Sequence, residues 1–593
     1  MHRLKPIVTD TYDFPTLIRD GNVYVDKTAF LHRLISRVDG SFFFMSRPRR
    51  FGKSLMISTL EQIFKGNMAL FKGLDIARAK YDWKKYPIIR LDMSALKADS
   101  TNEYRRILCA AVAAEAARHG LTLEENVQPG WMLNQLVGKL AVRNKRVVVL
   151  VDEYDAPLGG LLSNPRMLEA VRGLLHDFYI TLKVRVADIH FLMMTGVSKF
   201  SKLSVFSGLN NLTDISMNSN YAGLLGYTPK ELEAFFATHI RAFAKTNGIS
   251  KKRAVEDLLA WYDSYRFSPQ STIRVCNPVS VGRALKEGRI GSYWSSTGNA
   301  TLIVERLRKV KKLPTDLEGV EATESSLESC DVKSLPVVSL MYQGGYLTIK
   351  AVKKDGRLVL GMPNREVARS LGGGFFESLF GEPPDEFLSV ADDLRSGLES
   401  GDVSGEFVRK TLAAIFSMVP HEWKLKNEAE AKRYFLLFMK MAGADIMPEL
   451  ESSRGRADAV VETEKAVYVF EFKYGKAAKS ALQQIGAKGY EKPYAADKRR
   501  IMAIGVNYDP RKAGIEVVSE VVNPSDEVVN PVDEVVNEVV KSHPGLRKPE
   551  LVPLVGKSRA TVERALASLI SSGRIEFRGA PKNGGYYVIS RRK

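Results

Sequence analysis

Cysteine is scarce. Cys109, Cys276 and Cys330 are the three in 593 residues and lie far apart, so neither a disulfide framework nor a local thiolate zinc site can be assembled from them. The eight histidines are scattered as well, which leaves carboxylates as the side chains able to hold a metal. Long apolar runs are also missing. No stretch reaches the roughly 18 residues of a spanning helix, and the start, Met1-His-Arg-Leu-Lys-Pro-Ile-Val8, has no signal-peptide apolar core. The expectation is a cytoplasmic protein with no membrane partner. Acids are short relative to bases: 68 Asp plus Glu against 87 Lys plus Arg give a net charge of +19, which favours contact with a polyanion such as nucleic acid or a nucleotide phosphate.

What is present is ordinary globular material, 45% apolar and 26% charged, so wholesale disorder and a fibre are excluded. At about 100–200 residues per domain the length calls for several compact units. Up to residue 225, four short apolar runs (Phe42–Met45, Ile88–Asp92, Val147–Val151, Ile189–Met194) alternate with amphipathic stretches, the pattern of buried parallel strands in an α/β fold. Residues 226–305 read as helical and 306–420 as mixed. Residues 421–513 read as a second α/β unit, with strand runs on either side of Glu462-Thr-Glu-Lys465 and a last strand at Arg500–Val506. Over 514–536 runs a seven-residue repeat with Asn-Pro steps, six acids and no Lys or Arg, read here as a stiff, solvated spacer. Residues 537–593 carry twelve Lys/Arg and four acids. Their order of helix, turn, helix and β-hairpin is that of a winged helix.

Four constellations carry chemistry. In the first, Ser46-Arg-Pro-Arg-Arg-Phe-Gly52-Lys53-Ser54 follows a strand and opens an amphipathic helix. In a P-loop, backbone N–H groups cradle phosphate, the Lys reaches the β/γ-phosphates and the hydroxyl binds Mg²⁺. Arg47 stands where the first glycine is usual, and Gly-Lys-Ser is also simply a good helix start. In the second, Asp152-Glu153 ends the strand Val147–Val151; Asp152 would orient Mg²⁺ and Glu153 polarise the attacking water. Thr195, at the end of the strand at 189–194, is placed to sense the γ-phosphate or simply to end the strand.

In the third, Asp458 precedes a hairpin leading to Glu471-Phe-Lys473. Residues i and i+2 of a strand share a face, so Glu471 and Lys473 point together and Asp458 approaches them across the hairpin. Two carboxylates holding Mg²⁺ beside a lysine suit phosphodiester hydrolysis. Glu430 on the preceding helix is a further ligand candidate, and Gln484 and Tyr490 are candidates for contact with DNA or the active site. The fourth is the winged-helix segment, with Arg559, Thr561 and Arg564 on the helix that would enter a major groove and Arg578 and Lys582 on the wing; the alternative is a winged helix that binds protein.

Together with Tyr24-Val-Asp-Lys-Thr28, Thr195-Gly-Val-Ser-Lys-Phe-Ser201, Phe206-Ser-Gly-Leu-Asn-Asn211, Asn277-Pro278 and Tyr342-Gln-Gly-Gly-Tyr346, these segments resemble the bacterial and archaeal AAA-ATPase-like proteins that carry a C-terminal PD-(D/E)XK nuclease-like domain. Arg47 is itself part of that family's pattern. The resemblance implies an α/β multidomain chain: a P-loop ATPase core over 1–225, a helical lid and mixed region over 226–420, and a restriction-endonuclease-like α/β domain over 421–513. The repeat and the winged helix at 537–593 lie outside it. The expected cofactors are ATP and Mg²⁺ and the expected partner is DNA, with a homo-oligomer left open. The expected activity is ATP-dependent action on nucleic acid with Mg²⁺-dependent cleavage; the alternative is a nucleotide-switched DNA-binding regulator or defence sensor whose nuclease-like domain does not cut.

Overall fold

The computed structural model describes residues 4–589 apart from 37–40, 143–145, 162–163, 200–210, 295–299, 311, 329–335, 381–384, 402, 418–424, 442, 445, 453–454, 495–496, 512–513, 524–530, 572–573 and 580–583. The chain divides into two units, Met1–Arg395 with Ala414–Asp445, and Ser396–Ala413 with Ile446–Lys593. No helix among the described residues is long and apolar enough to cross a membrane.

The first unit is built on a five-stranded sheet of β1 (Phe42–Ser46), β2 (Ile88–Asp92), β3 (Val147–Asp152), β4 (Ile189–Gly196) and β5 (Thr213–Asp214), in the order β2-β3-β4-β1-β5. Every pairing is parallel. Continuous apolar runs form these strands because both faces are covered, so alternation with polar residues is not needed. Phe42 and Phe44 enter the core shared with helices Thr101–Arg118, Pro129–Leu140 and Pro165–Val184. Phe43, one residue out of phase, packs on Phe191, which meets Phe64 of helix Lys53–Phe64. The order sets β4 between β1 and β3, so the ends of the three strands that carry Ser46, Asp152 and Thr195 lie side by side.

Within 229–287 four helices, Pro229–Phe235, Ala237–Thr246, Lys251–Tyr262 and Pro278–Glu287, gather on one core, and residues 263–277 between the last two are non-helical, with a bridge from Tyr265 to Val275. The mixed region contains an antiparallel sheet of β6 (Val320–Ala322), β7 (Thr348–Val352) and β8 (Leu358–Gly361).

The second unit holds a sheet of β9 (Ile446–Ser452), β10 (Gly455–Glu462), β11 (Ala466–Tyr474), β12 (Arg500–Asp509) and β13 (Gly514–Asn523), in that spatial order. β11 and β12 are parallel, joined through helix Ala478–Lys488, and the other pairings are antiparallel. The spacer expected over 514–536 is corrected here. Residues 514–523 form the edge strand β13, paired with β12 along its length, and Pro531–Ser542 is a helix. An edge strand tolerates acids and needs only one neighbour, and the Asn-Pro steps punctuate these elements: Asn523 ends the strand and Pro531 opens the helix, where its missing N–H costs nothing.

Beyond it, helices Lys548–Val555 and Arg559–Ser571 and the hairpin of β14 (Ile575–Arg578) and β15 (Gly585–Val588) close on a core of Val536, Val540, Leu551, Val555, Val562, Ala565, Leu566, Leu569, Ile575 and Tyr586. Leu554 and Ile570, apolar in the sequence pattern, are exposed.

Candidate functional site

Two sites emerge, one in each unit. At the first, β1 ends at Ser46 and the chain turns through Arg47-Pro-Arg-Arg-Phe51 into helix Lys53–Phe64. Gly52 caps that helix with φ 95°, a conformation that favours glycine. Arg50 also has a positive φ of 66°, a strain of about 1–3 kcal/mol that the surroundings must hold in place. They do so from several sides. The buried Arg47 guanidinium donates to the Ser46 carbonyl at 2.9 Å and the Ser216 carbonyl at 2.6 Å, and lies 4.2 Å from the ring centre of Phe267. Phe51 packs edge-on against Tyr265 and Phe267. A Cβ on Gly345 would come within 2.8 Å of Pro48, so the Tyr342–Tyr346 segment needs its glycine to reach the loop.

Lys53 is buried and its Nζ donates to the carbonyls of Arg47 and Pro48 at 3.0 and 3.2 Å. Burial pushes its ammonium below the usual lysine range, opposed by Glu153 and Asp152. Thr195 Oγ1 donates to Asp152 Oδ1 at 2.5 Å and accepts the Glu153 N–H at 3.4 Å. Glu153 itself takes φ 50°, and burial pushes its carboxyl up against the pull of Lys53. Asp155 accepts from the Ser198 amide and hydroxyl at 2.7 and 2.5 Å. The five nucleotide-site candidates thus sit at the end of the loop (Gly52), in the first turn of the helix it opens (Lys53, Ser54) and on nearby strand ends (Asp152, Thr195). The Phe206–Asn211 segment, except Asn211, lies outside the described residues.

Beside Gly52 opens a cavity lined by Tyr12, Tyr24, Val25, Leu224, Tyr227 and Pro278 among others. Of the Tyr24–Thr28 and Asn277-Pro278 segments, Tyr24, Val25, Lys27 and Pro278 line it, whereas Asn277 caps helix Pro278–Glu287 by accepting the Val279 and Ser280 amides. Lys199, whose role was not legible in the sequence, is buried and paired with Asp214 at 2.9 Å and Glu328 at 3.0 Å, and its amide donates to Gln343 at 2.8 Å.

The second site lies at the β10–β11 hairpin. Ala459 pairs with Phe470, which sets Asp458 opposite Glu471, and their carboxylate oxygens lie within 4.8 Å of each other. Asp458 Oδ2 accepts the Phe472 N–H at 2.8 Å. Lys473 Nζ donates to Glu471 Oε1 at 3.2 Å and to the Phe472 carbonyl at 2.7 Å. Phe472, facing the other way, is buried. Two hard oxygen donors this close suit a divalent cation. Gln484 donates to Glu471, which places it beside that carboxylate.

Tyr490 requires correction: it is 4% exposed and packs with Val460, Val467, Ile485 and Ile501, where no nucleic acid reaches it. Glu430 accepts the Lys426 N–H at 2.8 Å and is engaged at the start of its own helix.

In the C-terminal segment Arg559, Arg564 and Arg578 are exposed. Arg559 pairs with Glu563 and Arg578 with Glu576. Thr561 is half-buried, its amide and hydroxyl engaged with Ser558. Lys582 lies outside the described residues.

A parallel sheet with a phosphate loop on one strand end and an acid pair two strands away is the core of a P-loop ATPase. This chain belongs to the family described as predicted AAA-ATPase, whose model matches residues 8–206, and a PD-(D/E)XK nuclease superfamily model matches residues 426–517. A protein of Azotobacter chroococcum mcd 1, described as an uncharacterized protein in the vnfD 5' region, is 34% identical over 507 residues, 83% of this chain and 94% of that protein. Among solved structures, the Aeropyrum pernix ORC2 protein aligns over 57% of this chain and 87% of that chain at 14% identity with a TM-score of 0.23. Cdc6p from Pyrobaculum aerophilum aligns over 59% and 93% at 9% identity with a TM-score of 0.20. Likenesses of that strength define neither fold nor function.

Replacing Glu153 by glutamine keeps the shape of the strand end and removes the carboxylate. Bound ATP should then turn over about 100-fold more slowly, with affinity little changed. Single-turnover hydrolysis beside equilibrium binding separates the two quantities.

Proposed function

We propose that the protein binds and hydrolyses ATP and acts on DNA, cleaving phosphodiester bonds at Asp458, Glu471 and Lys473. The observation that carries this reading is the pairing, in one chain, of a phosphate loop facing Asp152-Glu153 with a buried Glu471 carboxylate that lies beside Asp458 and is tied to a lysine. Lys53 would exchange its carbonyl partners for the β/γ-phosphates, the loop amides would follow them, and the base would occupy the cavity beside Gly52. Ser54 and Asp152 would hold Mg²⁺ there, neutralising phosphate charge. Glu153 would take the proton of the attacking water, and Thr195, bonded to Asp152, would hold that carboxylate in orientation. The helices over 229–287 would serve as the lid.

At the second site Asp458 and Glu471 would hold Mg²⁺, which supplies a Lewis acid at the scissile phosphate. Lys473 would position or deprotonate the water, with Gln484 fixing the rotamer of Glu471. The completeness of this set favours cutting over a binding role alone.

Residues 531–593 would recruit DNA as a winged helix, with Arg559 and Arg564 toward the major groove and Arg578 on the backbone. Purified protein with linear and circular DNA, Mg²⁺ and ATP should produce strand breaks; none in any nucleotide state would refute the cleavage. Arg564→Ala should weaken DNA binding about tenfold without changing ATP turnover in the absence of DNA. Affinity should also fall steeply with salt, as phosphate contacts require, and a flat salt response would count against the DNA assignment.

A further inference from the structure

Glu366 lies at the start of helix Arg365–Phe380 and is completely buried. One oxygen of its carboxylate, Oε1, accepts two consecutive backbone amides, Tyr293 N–H at 2.7 Å and Trp294 N–H at 3.0 Å. The Tyr293 carbonyl in turn accepts from Arg50 Nη1 at 2.5 Å, and Trp294 packs edge-on against Tyr346 and comes within 3.4 Å of the Cβ position of Gly345. A carboxylate more than 300 residues along the chain is therefore one peptide unit removed from the strained arginine of the phosphate loop. A positive φ on a non-glycine residue persists only where neighbours over-determine it, and the Tyr293 carbonyl is one of those neighbours.

On the basis of the ATP-binding reading above, we propose that Glu366 is a positioning residue for the nucleotide site. By gripping the Tyr293 and Trp294 amides it fixes the carbonyl that holds Arg50, and so sets the phosphate loop in its binding shape before nucleotide arrives. Preorganisation of this kind raises affinity without adding a contact to the ligand.

The grip depends on charge, because hydrogen bonds to an ionised acceptor are stronger than those to a neutral one. Burial pushes the Glu366 carboxyl up to about 7, opposed by Ser280 of helix Pro278–Glu287, by the two amides and by Arg50. Tyr262 and Tyr265 also face it, and Arg50 feels Arg283, Tyr12 and Arg49 besides. The carboxylate is ionised above that value and protonated below it, so nucleotide affinity should fall as the pH drops from 8 to 6.

The test is ADP affinity of the full chain across pH 6 to 8, in wild type, Glu366→Gln and Arg50→Met. Wild type should lose about tenfold in affinity at the acid end. Both variants should be nearly flat beyond the titration of ADP itself, which is common to all three proteins, and Glu366→Gln should match acidic wild type. A slope in Glu366→Gln equal to that of wild type overturns the proposal, as does a flat wild type that binds ADP. Arg50→Met retains Glu366, so loss of its slope is an effect that a purely structural role for Glu366 would not produce. Failure of wild type to bind ADP at any pH would sink the ATP reading itself and the proposal with it; the pH comparison distinguishes the two failures.

Discussion

Cleavage of DNA is expected to fall by about three orders of magnitude when Glu471 is replaced by alanine, with DNA binding retained. Glu471 is the hub of its site: it faces Asp458 across the hairpin and accepts from both Lys473 and Gln484. Alanine removes the oxygen proposed to bind the metal and a partner of a lysine that is only 7% exposed. Stranding a buried charge can cost about 3–5 kcal/mol of stability, so lost activity alone would be ambiguous. Glu471→Gln resolves this, because it keeps the volume and one acceptor oxygen while weakening metal binding. Both variants should be inactive, and the glutamine variant should unfold close to the wild-type temperature. Equal cleavage by wild type and Glu471→Gln would remove the proposed chemistry from this site.

The second large effect is expected at Lys53. Alanine there should weaken ATP binding about 100-fold, equivalent to ~2.7 kcal/mol. The ammonium is desolvated before nucleotide arrives and is held by the Arg47 and Pro48 carbonyls. Phosphate oxygens offer it a charged partner in their place, and charge-assisted bonds are roughly twice as strong as neutral ones. Lys53→Arg should fail as well, since a planar, branched guanidinium does not fit the space of a compact ammonium. Isothermal titration with ATP reads both variants; tight binding by Lys53→Ala would exclude the loop as the nucleotide site.

Much of the first sheet was legible because its strands are buried on both faces. Runs such as Val147–Val151 have no alternative home in a folded chain, and their ends locate Asp152 and Thr195. The trio Asp458, Glu471 and Lys473 was legible for a related reason, since period-two geometry and one hairpin bring them together. β9 was not, because Ile446-Met-Pro-Glu-Leu-Glu-Ser452 combines a proline with acids, a sequence acceptable only where one neighbour must be satisfied. Tyr490 was misread because an aromatic after a helix looks the same in sequence whether it stacks on a base or fills a core. Glu366 gave no signal, and Lys199 stood out only as part of the Thr195–Ser201 segment with no role of its own: their partners lie 15 to 144 residues away along the chain, and only the fold supplies them.

The segment Glu520-Val-Val-Asn523 lies in strand β13, whereas the identical Glu534-Val-Val-Asn537 lies in helix Pro531–Ser542. One tetrapeptide adopting two conformations shows that local preference here is nearly balanced and that each neighbourhood decides the outcome. Such a stretch is interchangeable by design of its sequence. Gain or loss of one seven-residue copy during replication would present the same side chains to the sheet edge and to the helix, changing only the length of chain between the nuclease-like domain and the residues that follow. Reach could then be tuned in evolution without redesigning either fold.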